Sequence, residues 1–93
     1  MTILSVSDVD AQLADRGLGW ERQDSELVKV VKRADFAQAL ELVNAVGAAA
    51  EAADHHPDID IRWNTVTLRL TTHSAGGITD ADLRLASVID ELT

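Results

Sequence analysis

The sequence predicts an α+β domain in the order α-β-β-α-β-β-α, a four-stranded antiparallel sheet with helices packed on one face. Three observations carry the prediction. Apolar residues recur at helical spacing between Phe36 and Asp54, the period falls to two after Pro57, and capping signals open helical stretches near both ends of the chain. The 93 residues suit a single domain, 1–93.

The elements follow in chain order. Ser7-Asp8-Val9-Asp10 reads as a helix start, with Ser7 as N-cap and acids in the first turn, and Gly17 can end that helix in the left-handed conformation. Trp20–Gln23 and Leu27–Lys32 flank a polar Asp24-Ser25-Glu26 turn, a β-hairpin pattern. Asp35 can cap a long helix through about Ala53, with Phe36, Ala39, Leu40, Val43, Gly47, Ala50 and Asp54 along one face.

Beyond Pro57, Ile59, Ile61 and Trp63 alternate with Asp58, Asp60 and Arg62, and Val66, Leu68 and Leu70 alternate with Thr65, Thr67, Arg69 and Thr71. The change of parity predicts a two-residue turn at Asn64-Thr65, with Trp63 opposite Val66 and turned into the core. His73 to Gly77 is a loop. Thr79 opens the last helix, Asp82 completes a capping box, and Ile78 and Leu83 can form a hydrophobic staple. Leu85, Val88, Ile89 and Leu92 are expected on its buried face.

Composition narrows the function. The net charge is −8 and the eight basic residues are scattered, which argues against nucleic acid as a partner. Without cysteine there is no disulfide, thiolate metal site or thiol nucleophile. Met1 to Val6 lacks a basic leader pattern, and the longest apolar stretch, Ala45–Ala50, is too short to span a bilayer. A cytoplasmic protein without membrane contact is therefore expected. Hydrophobic residues make up 46% of the chain, with only two Trp and one Phe among the aromatics, so the core must be aliphatic. Apolar surface left over from so small a domain suits a homo-oligomer.

The chemistry-bearing residues are concentrated. All three histidines, His55, His56 and His73, lie between positions 55 and 73. Imidazole is the side chain best suited to exchanging protons near neutral pH. His55 and His56 follow the long helix, and a hairpin returns His73 to the same end of the sheet, so the three can converge. Each has a structural reading as well: His55 as a helix cap, Asp82 as a helix-start residue, Glu51 as an i,i+4 partner of His55, and Trp63 as core. Adjacent histidines in an extended segment point apart, and no helical H-x-x-x-H pair is present, so no metal site is expected.

The spacing Glu51-x3-His55-His56-Pro57-x5-Trp63-x9-His73-x8-Asp82 resembles the signature of the pterin-4a-carbinolamine dehydratases. The similarity extends to Gly19-Trp20, the Asp35-Phe36 helix start, Thr71-Thr72-His73 and the final helix, covering roughly residues 17–92. The resemblance implies dehydration of 4a-hydroxytetrahydropterin to quinonoid dihydropterin, in tetrahydrobiopterin recycling, by a homodimer or homotetramer without metal or other cofactor. By position, His55, His56 and His73 would be the acid–base and pterin-contacting residues. Pro57, Trp63 and Asp82 would shape the site and Glu51 would line its edge. Many members carry tyrosine at the position of Trp63. The alternative implied by relatives is a non-catalytic dimerisation cofactor or assembly factor on the same fold.

Overall fold

The computed structural model describes residues 2–93. Its elements are α1 (Val6–Asp15), β1 (Glu21–Gln23), β2 (Glu26–Lys32), α2 (Phe36–Ala53), β3 (Asp58–Arg62), β4 (Thr65–Leu70) and α3 (Asp80–Leu92). The strands form one antiparallel sheet in the order β1-β2-β4-β3, as the expected class requires. Leu27, Val31, Val66, Leu68 and Leu70 of the two central strands share one core with Val9 of α1, Ala39, Leu42, Val46 and Ala50 of α2, and Leu83, Leu85, Ala86 and Ile89 of α3. No helix among the described residues is long and apolar enough to cross a membrane.

The first helix begins two residues earlier than expected. Ser5, not Ser7, is the N-cap, and its hydroxyl accepts the Asp8 N–H at 3.1 Å. With the cap at Ser5, Leu4 and Val9 occupy the staple positions flanking it, and Leu4 packs against the core that holds Val9. A cap at Ser7 would move the staple to Val6 and Ala11, a smaller pair. Gly17 does take the left-handed conformation, at φ 62°.

In the first hairpin the turn contracts to Asp24-Ser25, with Gln23 paired to Glu26. Asp24, at φ 55°, tolerates the left-handed conformation better than most residues. In the second hairpin the turn is Trp63-Asn64, so Arg62 faces Thr65 and Ile61 faces Val66. The expected register differs from this one by a slide of two residues, which leaves every side chain on the same face; alternation alone does not distinguish them. A tertiary contact does. The Asn64 amide donates to the Arg33 carbonyl at 2.9 Å, and the Arg33 N–H donates to the Asn64 carbonyl at 2.8 Å. Trp63 is thereby placed in the turn at φ 53°, 67% exposed rather than in the core.

The buried stripe of α2 is also rotated from the expected face. Ala39, Leu42, Val46 and Ala50 are buried, whereas Phe36 and Leu40 are exposed. An alanine-rich helix that is apolar on more than one side leaves the choice of face to its packing partners. In α3, Leu85 and Ile89 are buried as expected but Val88 and Leu92 lie open, and Leu83 and Ala86 take their place in the core.

One polar lock joins α3 to the sheet. Asp90 accepts the Gly19 N–H, the Trp20 indole N–H and the Lys29 ammonium, each at 2.8 Å. Lys29 stands opposite Leu68 in the register, on the face that carries the core, and the carboxylate compensates its charge there.

Candidate functional site

The site begins with the way α2 ends. Asp54 takes the left-handed conformation at φ 49°, and the Asp54 and His55 N–H groups fold back onto the carbonyls of Glu51 (3.2 Å) and Ala50 (3.1 Å). This is a Schellman ending with aspartate where glycine is commoner, and it projects His55 from a fixed point on the helix end. His56 precedes Pro57, whose ring disfavours helix and carries the chain into β3. The partner strand β4 returns antiparallel, with Asp58 opposite Arg69, and delivers Thr71, Thr72 and His73 to the same end of the sheet. A bridge between Thr72 and Gly77 closes the turn that bears His73.

The third contribution comes from α3. Thr79 and Asp82 form the expected reciprocal capping box, with the Asp82 carboxylate accepting the Thr79 N–H at 2.9 Å. That carboxylate has further partners. Its Oδ1 lies 2.5 Å from Nε2 of His55, and its Oδ2 accepts the Thr72 hydroxyl at 2.8 Å. Thr72 in turn sits 2.8 Å from the Thr79 hydroxyl. Asp82 and Thr79 are fully buried and Thr72 nearly so. A carboxylate withdrawn from water needs such donors, because an unpaired buried charge is strongly unfavourable. Asp82 is the helix-start residue expected and also the partner of His55: one oxygen caps α3 and the other faces Nε2 of His55.

Glu51 does not form the i,i+4 pair with His55. Its carboxylate instead lies 2.5 Å from Nε2 of His56, and both side chains are more than half exposed. Two imidazoles thus each face a carboxylate through Nε2, one dyad buried and one open. No hydrogen bond among the described residues reaches Nδ1 of His55. His73 is exposed, one residue from Thr72 and so two hydrogen bonds from His55. Pro57 is half-buried beside His56.

Within one chain Trp63 stands apart. It occupies the turn at the other end of β3, a five-residue strand, from His56. At about 3.3 Å per residue, the seven steps from His56 to Trp63 span roughly 23 Å along the extended chain.

A groove of about 270 Å³ opens beside His55, lined also by Ala53, Ala81, Arg84, Leu85 and Val88. Arg84 at its rim is held by Asp80 at 2.7 Å. Its lining is mainly apolar with a few polar groups, the kind of surface that small-molecule sites use. Among the described residues no group of three or more His, Asp and Glu side chains is arranged to hold a metal ion. An imidazole backed by a buried carboxylate can accept a proton and hold the resulting cation, which is the arrangement of a general base and its orienting group.

Thr72 is the member of this network that the sequence placed only within Thr71-Thr72-His73, without a role of its own. The Thr79-x-x-Asp82 box is visible in the sequence, but the bond from the end of β4 to Asp82 exists only after the sheet and α3 have packed.

A family model described as Pterin 4 alpha carbinolamine dehydratase matches residues 2–92. A protein of Mycobacterium sp. (strain KMS) named "Putative pterin-4-alpha-carbinolamine dehydratase" is 53% identical over 92 residues, 99% of this chain and 97% of that protein. A crystal structure of a transcriptional coactivator/pterin dehydratase from Brucella melitensis superposes with a TM-score of 0.89 at 30% identity, covering 98% of each chain. A pterin dehydratase-like protein identified as a RuBisCO assembly factor in the alpha-carboxysome has the same fold, with a TM-score of 0.64 at 22% identity over 81% of this chain and 87% of its own.

Proposed function

Because the chain belongs to the pterin 4 alpha carbinolamine dehydratase family, we propose that it is a hydro-lyase acting on 4a-hydroxytetrahydropterin. The products are quinonoid dihydropterin and water, a step in tetrahydrobiopterin recycling. The observation that carries the reading is the buried Asp82 carboxylate aimed at Nε2 of His55, beside His56 and joined through Thr72 to the turn of His73.

In the reaction the C4a–O bond breaks, the adjacent ring nitrogen loses its proton, and a carbon–nitrogen double bond forms between them. The nitrogen lone pair assists departure of the hydroxyl, so no nucleophile is required. His55, with Asp82 to hold its cation, suits the base. The exposed rings of His56 and His73 suit proton delivery to the departing oxygen. Each acid or base contributes about 10²–10⁴-fold to such a step. The groove beside His55 offers the substrate a mainly apolar wall.

Single His55→Ala, His56→Ala and His73→Ala variants, assayed for dehydration of chemically generated 4a-hydroxytetrahydropterin, test the reading. Each is expected to lose activity. Full activity in all three would overturn it, and a wild-type chain that neither turns over nor binds a pterin analogue would favour a non-catalytic binding role. Exposed Phe36 and Leu40 on α2 support a further expectation, self-association into a homodimer or homotetramer, which native mass measurement tests.

A further inference from the structure

We infer that Thr72 is a positioning residue for the reaction proposed above: its hydroxyl orients the Asp82 carboxylate so that the proton sits on Nε2 of His55 and Nδ1 is the nitrogen that exchanges protons with the substrate. The inference rests on that reading of the function for its kinetic consequence, but its structural content stands independently.

Donors and acceptors decide the direction of the network. An ionised carboxylate only accepts. Thr72 lies 2.8 Å from Oδ2 of Asp82, so its single hydroxyl proton is donated there. At the 2.8 Å contact between the two threonines the proton must then come from Thr79. The chain has one direction, from the Thr79 hydroxyl to Thr72 and from Thr72 to Asp82. The Thr79 N–H supplies Oδ2 with its second donor. Oδ1 is left as an acceptor facing Nε2 of His55, and that nitrogen must carry hydrogen. Fixing the tautomer in this way frees Nδ1 for proton exchange.

Thr72 is suited to the task because its backbone is also held. Its N–H donates to the Gly77 carbonyl at 2.9 Å, and its carbonyl accepts the N–H groups of Ala75 at 3.0 Å and Gly76 at 2.9 Å. One residue therefore closes the turn carrying His73 and, through its side chain, sets the carboxylate behind His55. With the hydroxyl removed, Oδ2 keeps only the backbone donor, and the carboxylate is held less firmly about its terminal torsion.

The test uses the full chain with Thr72→Val, close in shape but without the donor, and Thr72→Ser, which restores it. Two-bond nitrogen–proton spectra of the His55 ring, recorded where the ring is neutral, report the tautomer; kcat and KM report the reaction. Wild type and Thr72→Ser are expected to show one Nε2–H tautomer. Thr72→Val is expected to show a mixture, with kcat lowered about 10- to 100-fold, as for slight misplacement of a reacting group, and KM nearly unchanged. An Nδ1–H tautomer in the wild type would overturn the inference. So would a Thr72→Val chain that keeps both the single tautomer and its kcat, or a Thr72→Ser chain as impaired as Thr72→Val. Should the wild type lack dehydratase activity, the proposed function fails while the tautomer spectra still decide the role of Thr72.

Discussion

His55 and Asp82 meet at 2.5 Å between Nε2 and Oδ1, with the carboxylate fully buried, whereas His56 and Glu51 meet at the same distance in the open. Equal separations do not mean equal energies. In the first pair the charge lies away from water and depends on its protein partners; in the second, solvent competes for both groups.

Replacing Asp82 with asparagine is accordingly expected to weaken both function and fold. The amide oxygen can meet either His55 or the donors around Oδ2 but not both, so it no longer dictates the tautomer, and its hydrogen bonds lose the assistance of the charge. Dehydratase activity should fall about 10²-fold or more, and urea denaturation should show a loss of about 1–3 kcal/mol. An Asn variant with wild-type kcat would contradict the assigned role of the carboxylate.

Glu51→Gln should behave differently. Both partners of this ion pair are more than half exposed, so its removal should change unfolding free energy by no more than about 0.5 kcal/mol. A urea midpoint displaced as far as that of the Asp82 variant would mean that the His56 pair is not the solvent-exposed contact described.

At the end of α2, Asp54 holds a left-handed conformation that glycine adopts without steric cost. Asp54→Gly is expected to stabilise the protein by about 0.5–1 kcal/mol, and Asp54→Val to destabilise it. Thermal unfolding of the two variants gives the signs. The reverse order would show that the Schellman ending does not govern this segment.

Asp90 offers a stability test remote from the histidines. Asp90→Ala removes the acceptor of three donors and leaves the Lys29 ammonium, largely buried, without its partner. A loss of about 3 kcal/mol is expected, accompanied by a shift in the fluorescence of Trp20, which the Trp63→Phe background isolates. A variant as stable as the wild type would show that the lock is dispensable.

Much of this architecture is legible along the chain because it depends on local chemistry. Asp35 caps α2, Gly17 ends α1, and Thr79 and Asp82 box the start of α3, all through hydrogen bonds within a few residues. Structure and expectation part where local chemistry is degenerate. Two hairpin registers satisfy the alternation around Trp63, and the bonds between Asn64 and Arg33 select one. Several faces of α2 are apolar, and the sheet takes the one with Leu42 and Val46.

The site divides in the same way. Periodicity and caps, which are read from near neighbours, suffice to put His55, His56 and His73 at the exit of a helix and the ends of a hairpin, within the spacing Glu51-x3-His55-His56-Pro57-x5-Trp63-x9-His73-x8-Asp82. Glu51 meets His56 locally, across the end of α2, whereas packing of the whole chain was needed to bring Asp82 and Thr72 to His55 and to leave Trp63 at the far turn. The partnerships of Asp82 join residues from the exit of α2, α3 and the end of β4, and a carboxylate chooses its partners only when burial has excluded water and left it few donors.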